Sequence, residues 1–560
     1  LRGLCGGDET GNAAEAGEAA RTGRRSWAVD PPAALALLLG GLGFGYRLVL
    51  ILLTIPGGNS DEATFGIAAL HIAAGTDRPV FLYGQRYMGT VESYLAAPLF
   101  AVAGPSWPAL RLPLLALWAL FVLASYRLTR RICSPWLATF TVGLLALGSE
   151  RVIRDQLTAV GGRPEVKPAL VVLLLVVLDL GERRIRWRWP AYALFGVLAG
   201  LVLWDDWLAL PYLAAAGVAL VAVAGRQLVG RAGLVLAGGL ALGLLPLILD
   251  NLRAPPGQDS LSVLRELSHG ESAPASLGQR LHGAVEIGLP LATGTCPADG
   301  CVPGRLWWAG CYLVLLLAAA VLAVVELRRD GGRARAAVRL ALVVGAGLSL
   351  VGYVRNDLAG TAPLASARYL ALVQISLPIL LWPPWRAAAR LVARWPGRAR
   401  PGRGQPDRAG WLTRVVGGGS AALLAALTVA MLWATADFVH RLGPVRAEQQ
   451  DARRLAAAVR QAGVRYVYGE YWTCNRLVFD SAGRLDCAVL GADLRPGQNR
   501  WSGYWDSVGA APRPAFLFGA GSAADRAFTE FLAREGVAVP VQSIGAYRLY
   551  QPQTRLRPWR

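Results

Sequence analysis

The sequence predicts a polytopic α-helical membrane protein of about eleven crossings, followed by a small C-terminal α/β domain outside the membrane. Three observations predict it. Hydrophobic residues make up 54% of the 560-residue chain against 17% charged, and they gather in runs separated by short arginine clusters. The clusters fall on alternate connections between the runs. From residue 446 onward, β-like segments alternate with amphipathic helical ones.

Residues 1–30, rich in Gly, Ala and Arg, lack the compact apolar core and cleavage site of a signal peptide and read as a disordered cytoplasmic lead-in. The run "AALALLLGGLGFGYRLVLILLTIP" then matches the hydrocarbon core of a bilayer in length, with Arg47 its one charge. Further crossings are expected near 108–126, 136–148, 168–180, 190–204, 208–225, 233–250, 306–326, 336–354, 367–385 and 413–436. The runs at 136 and 168 are short and also fit a tilted or re-entrant pair, whose loss leaves later orientations unchanged. "WDDW" at 204–207, with Pro211, divides 190–225 into a hairpin.

Orientation follows from charge. "RTGRR", "RLTRR", "ERRIRWR", "RQLVGR", "ELRRDGGRARAAVR" and "RAAARLVARWPGRARPGRGQPDR" mark cytoplasmic connections by the positive-inside rule. A transmembrane domain over 31–437 is therefore expected, with outer loops at 55–107 and 251–305 and a Gly/Pro/Arg-rich cytoplasmic linker at 386–412. The N-terminus is cytoplasmic and 438–560 lies outside, which describes a multi-pass plasma-membrane protein. A net charge of +20 distributed this way points to membrane lipid and away from nucleic acid.

The C-terminal segment carries "AEQQDARRLAAAVRQAG" before "VRYVYGEYW", and "RPAFLFG" before "SAADRAFTEFLAREG" and "VAVPVQSIGAYRLY". It is long enough for a modest core, and either caps the membrane part, gates it or binds a ligand. Cysteines agree with the topology. Cys296 and Cys301 share one outer loop and Cys474 and Cys487 share the tail, so two disulfides are expected. Zinc is the rival reading, but "CPADGC" has no second ligand pair with finger spacing.

"GNSDEATF" places Asp61 and Glu62 where the first helix leaves the membrane. A helix N-terminus capped by Asn59 or Ser60 explains two acids there. It does not explain their address, at the level where a lipid-borne substrate would present its headgroup.

The stretch "NSDEATFGIAALHIAAGTDRPVFLYGQRYMGTVESYLAAPLFAVAG" resembles the first outer loop of the GT-C superfamily of membrane glycosyltransferases, which includes protein mannosyltransferases and aminoarabinose transferases. Similarity continues in "GGRPEV", "LVLWDDWLALPYL", "LGLLPLILDNLR" and "SARYLALVQISLPIL". The resemblance implies a GT-C fold and transfer of a sugar from a polyprenyl-phosphate donor to a glycan, lipid or protein acceptor outside the membrane. It makes Asp61 the general base toward an acceptor hydroxyl, and Arg368, in the "R-Y" segment with Tyr369, the partner of the leaving phosphate. Arg86, followed by Tyr87, is a second phosphate candidate. Glu62 orients the base, binds a cation or holds the fold.

Glu92, Glu165 and Asp205, with Asp206, lie at other outer boundaries. They read as contacts to acceptor hydroxyls or as ordinary loop and helix-end residues. His71 falls near the face of Asp61, as a wet histidine of an amphipathic helix. His269 and His282 meet the donor phosphate if their loop closes, or are solvated. No metal-ligand set is assigned; two or three loop carboxylates meeting in space would bind a divalent cation. Two rival functions use other features. A transporter would use Arg47 and helices broken at Pro246 and Pro378, and a receptor or scaffold would use the tail domain alone.

Overall fold

The computed structural model describes residues 30–268, 274–297, 307–329, 332–393 and 408–559. Among them, seven helices are long and apolar enough to cross a membrane: Pro31–Leu52, Trp107–Ile132, Trp207–Leu228, Trp307–Leu327, Arg333–Val354, Pro363–Val392 and Thr413–His440. Two bent pairs raise the number to nine, Pro135–Ala146 with Glu150–Leu157 at 91° and Arg231–Gly243 with Leu245–Arg253 at 55°. The runs expected at 168–180 and 190–204 are the helices Val166–Gly181 and Arg188–Asp205, of 16 and 18 residues. Neither meets the same standard. Sixteen residues reach about 24 Å, short of a hydrocarbon core of about 30 Å.

The 91° bend is where Arg47 goes. This side chain, with no exposure, donates to the carbonyls of Leu145, Ala146 and Leu147 at 3.1, 2.8 and 3.1 Å and to Gln156 Oε1. It lies 4.0 Å over the Trp118 ring. A broken helix end inside apolar surroundings leaves carbonyls without donors, and a cation at that end satisfies them and complements the dipole. Arg47 therefore anchors a fold feature.

The C-terminal part is an α/β unit. Besides the short hairpin β1 (Phe81–Leu82) and β2 (Gln85–Gly89), the strands are β3 (Tyr466–Gly469), β4 (Asp486–Val489), β5 (Ala515–Gly519), β6 (Val541–Ile544) and β7 (Tyr547–Tyr550). The order is β4-β3-β5-β7-β6, with β3 parallel to β4 and β5 and the remaining pairs antiparallel. Gly545, at φ 56°, turns the β6–β7 hairpin. Helices Leu442–Gln461 and Ala523–Glu535 occupy the expected helical stretches.

This unit shares one core with loop 55–107. Phe65, Phe100 and Trp107 cluster with Val478, Phe479 and Val489. Phe479 meets Trp107 edge-on at 4.7 Å and stacks on Phe100 at 5.9 Å, and a Cβ on Gly66 would come within 2.4 Å of its ring. Trp107 Nε1 donates to Asp480 at 2.7 Å, across 373 residues of sequence. Burial of this size makes the C-terminal unit an integral part of the fold. Of the expected linker 386–412, residues 386–393 continue the helix Leu377–Ala393, Arg408–His440 takes up the chain again, and 394–407 lie outside the described residues, as do 1–29.

Candidate active site

Asp61 sits in the first turn of the helix Ser60–Ala74, where Asn59 caps by accepting from the Glu62 N–H at 2.9 Å. Its side chain is 32% exposed. Both of its side-chain partners come from the C-terminal unit: Oδ1 accepts from the Tyr471 hydroxyl at 2.5 Å and from Arg500 Nη2 at 3.2 Å. Arg500 Nε donates to the Tyr471 oxygen at 2.9 Å, closing a triangle, and Ser60 Oγ donates to the Tyr471 carbonyl. Sequence reasoning missed Tyr471 and Arg500. Neither stands in a motif, and Arg500 is 439 residues from Asp61.

Glu62 has a different environment. Both its oxygens accept from Arg111, Nε to Oε1 at 2.7 Å and Nη2 to Oε2 at 2.6 Å, and neither side chain is exposed. Arg111 Nη1 is spent on the Pro56 carbonyl. This closed pair leaves Glu62 no free oxygen for a reactant, so of the three roles the sequence left open, its geometry provides the holding of the fold.

Glu92, Glu165 and Asp205 come together. Each offers a carboxylate oxygen within 4.8 Å of the others, and the residues are 0%, 9% and 2% exposed. Glu92 Oε2, Glu165 Oε2 and both Asp205 oxygens have no donor in the protein. The remaining oxygens of the two glutamates are held by backbone: Gly161 N–H reaches Glu92 at 2.8 Å and Gly162 N–H reaches Glu165 at 3.1 Å. Gly161 and Gly162 have φ of 77° and 72°, and a Cβ on Gly162 would fall 2.1 Å from Asp206 Cβ, so the "GG" of "GGRPEV" is required by this turn.

Burial, and then the charge of Glu165, push the Glu92 carboxyl well above the usual carboxylate range. Asp206 is pushed up to about 6, chiefly by burial, against the Leu208 N–H and Arg163. Three enclosed carboxylates repel one another, so the cluster takes up protons or a cation. Oxygens this far apart can reach one divalent ion from opposite sides at about 2.4 Å each.

Several arginines carry unused donors. Arg151 Nη1, Arg163 Nε and Arg500 Nη1 are enclosed and lack acceptors in the protein. Arg163 reaches Asp155 at 3.4 Å; burial lowers its pKa, Asp155 and Asp206 oppose that, and the charges of Arg368 and Arg151 add to it. Burial raises the pKa of Tyr87, while Arg500 and Arg368 lower it and Tyr369 and Asp206 raise it. Asp61, in turn, is among the charges that act on Arg368. The Arg368 guanidinium lies 5.3 Å over the Tyr369 ring.

Other candidates stand elsewhere. Arg86 Nη2 is paired with Asp250 at 2.8 Å, while its Nε is enclosed without an acceptor in the protein. His282 is exposed and bonded to Glu286 at 2.6 Å; His269 lies outside the described residues. His71, expected to be wet, is 7% exposed, bonded to the Tyr83 hydroxyl at 2.9 Å and packed 4.5 Å from Trp501, because the C-terminal unit covers that face. Cys474 is joined to Cys487, and Cys296 is disulfide-bonded, while Cys301 lies outside the described residues.

No family model matches the sequence, and no curated protein matches it. Among solved structures, ArnT from Cupriavidus metallidurans in the apo state superposes with a TM-score of 0.58 over 93% of this chain and 98% of its own, at 15% identity. ArnT from the same organism bound to undecaprenyl phosphate gives 0.56 over 92% and 97%, at 14% identity. The chain therefore has the same overall fold as ArnT.

Proposed function

We propose that this protein transfers a sugar from a polyprenyl-phosphate donor to a glycan, lipid or protein acceptor at the outer face of a plasma membrane, with Asp61 as general base. The observation that carries the reading is a partly exposed carboxylate held by Arg500, whose Nη1 has no acceptor in the protein. In the reaction the acceptor oxygen attacks the anomeric carbon and gives its proton to Asp61. The bond from that carbon to the phosphate oxygen breaks, and polyprenyl phosphate leaves with the electron pair. Arg368, with Arg163 and Arg151, is the set that would receive the developing charge. ArnT, which has the same fold, binds undecaprenyl phosphate in one of its structures, and a lipid of that class is proposed here.

The cluster of Glu92, Glu165 and Asp205 is assigned to acceptor hydroxyls or to a divalent cation. The positive-inside pattern supports an outer position for loop 55–107, and the core that loop shares with residues of 438–560 supports the same side for that unit. A transport pathway is disfavoured because Arg47 is consumed by helix-end carbonyls. The test incubates purified protein with a panel of polyprenyl-phosphate sugars and follows release of polyprenyl phosphate. Release that depends on acceptor is expected. Solute uptake by reconstituted vesicles without any bond cleavage would sink the proposal.

A further inference from the structure

Arg500 stands where the two parts of the fold meet, with its guanidinium only partly used. Nε is bonded to Tyr471 and Nη2 to Asp61, but Nη1 is sealed from solvent without an acceptor, in a side chain 6% exposed. The side chain is fixed on several sides. A Cβ on Gly84 would touch Arg500 Cδ at 3.4 Å, the guanidinium lies 5.6 Å from the Tyr471 ring, and the next residue, Trp501, packs on His71. A rigid fork with one idle prong is suited to a ligand oxygen arriving from outside the protein. The charge of that oxygen follows from the guanidinium, a fixed cation whose N–H groups bind a phosphate oxygen more strongly than a neutral sugar hydroxyl.

We infer that the C-terminal domain completes the donor site through Arg500, whose Nη1 binds an oxygen of the lipid-linked phosphate while Nη2, with Tyr471, holds Asp61 in place. The inference rests on the reading of Asp61 as base. One guanidinium then couples two requirements of the transfer: capture of the leaving group, and orientation of the group that takes the proton. Tyr471 is a positioning residue, touching the base and not the phosphate.

The experiment uses full-length purified protein and two readouts, binding of polyprenyl phosphate without acceptor and steady-state turnover resolved into donor KM and kcat, with thermal unfolding measured for each variant. Arg500→Gln is expected to weaken polyprenyl-phosphate binding about tenfold or more and to raise donor KM in step. Arg500→Lys should recover part of the binding and little of the turnover, because an ammonium supplies charge without the fork. Tyr471→Phe should lower kcat and leave binding and KM alone. Wild-type binding in a folded Arg500 variant overturns the inference, and so does an equal loss of binding in Tyr471→Phe. If Arg500→Gln does not fold, the contrast between Arg500→Lys and Tyr471→Phe decides. Full transfer by Asp61→Asn would instead defeat the base reading, and the binding arm does not depend on it.

Discussion

Arg111 and Glu62 meet in a two-pronged ion pair at 2.7 and 2.6 Å with no exposure of either side chain, one residue along the chain from a carboxylate that is one-third open. Adjacent acids that look alike in the sequence thus belong to different parts of the molecule. Glu62 is sealed in the interior, and Asp61 is partly open and held by Tyr471 and Arg500.

Substitution should separate them. Asp61→Asn keeps size and much of the capping geometry, and turnover per folded molecule is expected to fall about 100-fold or more, roughly 3 kcal/mol of barrier, with a stability change of about 0.3–1 kcal/mol. Glu62→Gln strands the Arg111 charge in an enclosed site. It should destabilise the protein by about 3–5 kcal/mol while whatever folds turns over normally. Turnover normalised to folded protein, alongside thermal unfolding, distinguishes the two patterns.

The carboxylate cluster should make stability depend on pH and on cations. Glu92 is held well above its ordinary value and Asp206 is raised to about 6. For an acid with a raised folded-state pKa, the stabilising contribution is complete below the unfolded value and is lost as pH rises through the folded one. Asp206 loses its share between about 3.8 and 6, and Glu92 loses its share from about 4.5 upward. Glu92→Gln should flatten the upper part of that decline. A divalent cation should raise the thermal midpoint of the wild type at neutral pH and leave Glu92→Gln or Asp205→Asn nearly unchanged; equal midpoints for wild type with the ion and with a chelator would assign the cluster to protons or substrate hydroxyls.

Arg368→Ala should raise donor KM about tenfold or more with normal membrane insertion, since a charge-assisted contact to phosphate is lost. Arg86→Ala is the control. Its partner Asp250 is 22% exposed, so the pair should be worth about 1 kcal/mol or less, with donor KM unmoved. Identical kinetics of the two variants would remove Arg368 from the donor site.

Topology is open to labelling. A cysteine introduced at 520 should react with an impermeant reagent in intact cells, and one at 400 should not. The reverse pattern would put Asp61 on the cytoplasmic side, because its loop and residues 466–550 share one core. Peptide mapping of protein from native membranes without reductant should recover Cys474 linked to Cys487.

Much of the fold was legible because it is written in composition over long windows. Apolar runs fix helices, and the arginine clusters divide them. "VAVPVQSIGAYRLY" read as strand-like and holds β6 and β7, although the hairpin turn at Gly545 that divides it was not read. Shorter features were not legible. The four residues of β4 follow the helix Tyr471–Asp480, whose mixed "YWTCNRLVFD" has no clean period. The 91° bend was hidden because its cause, Arg47, lies about 100 residues away. At the site, "SDE" and "GGRPEV" announced their acids, and chemistry alone singled out Glu92, Glu165 and Asp205. That these three meet, that Glu62 is claimed by Arg111, and that Arg500 reaches Asp61 are facts of tertiary approach, with no local pattern to carry them.

The contact of Phe479 with Phe100 and Trp107 also sets an order of events during synthesis. The ribosome makes Trp107 some 373 residues before Asp480, its hydrogen-bond partner. At about 5–20 residues per second the early loop waits roughly 20–75 seconds with its aromatic side chains uncovered. Only when the chain has been made as far as Arg500 does that loop acquire its core and Asp61 its two partners. A product truncated by a premature stop would insert many of its helices and still lack a finished site. The chain thereby ties assembly of this carboxylate's surroundings to completion of its own translation.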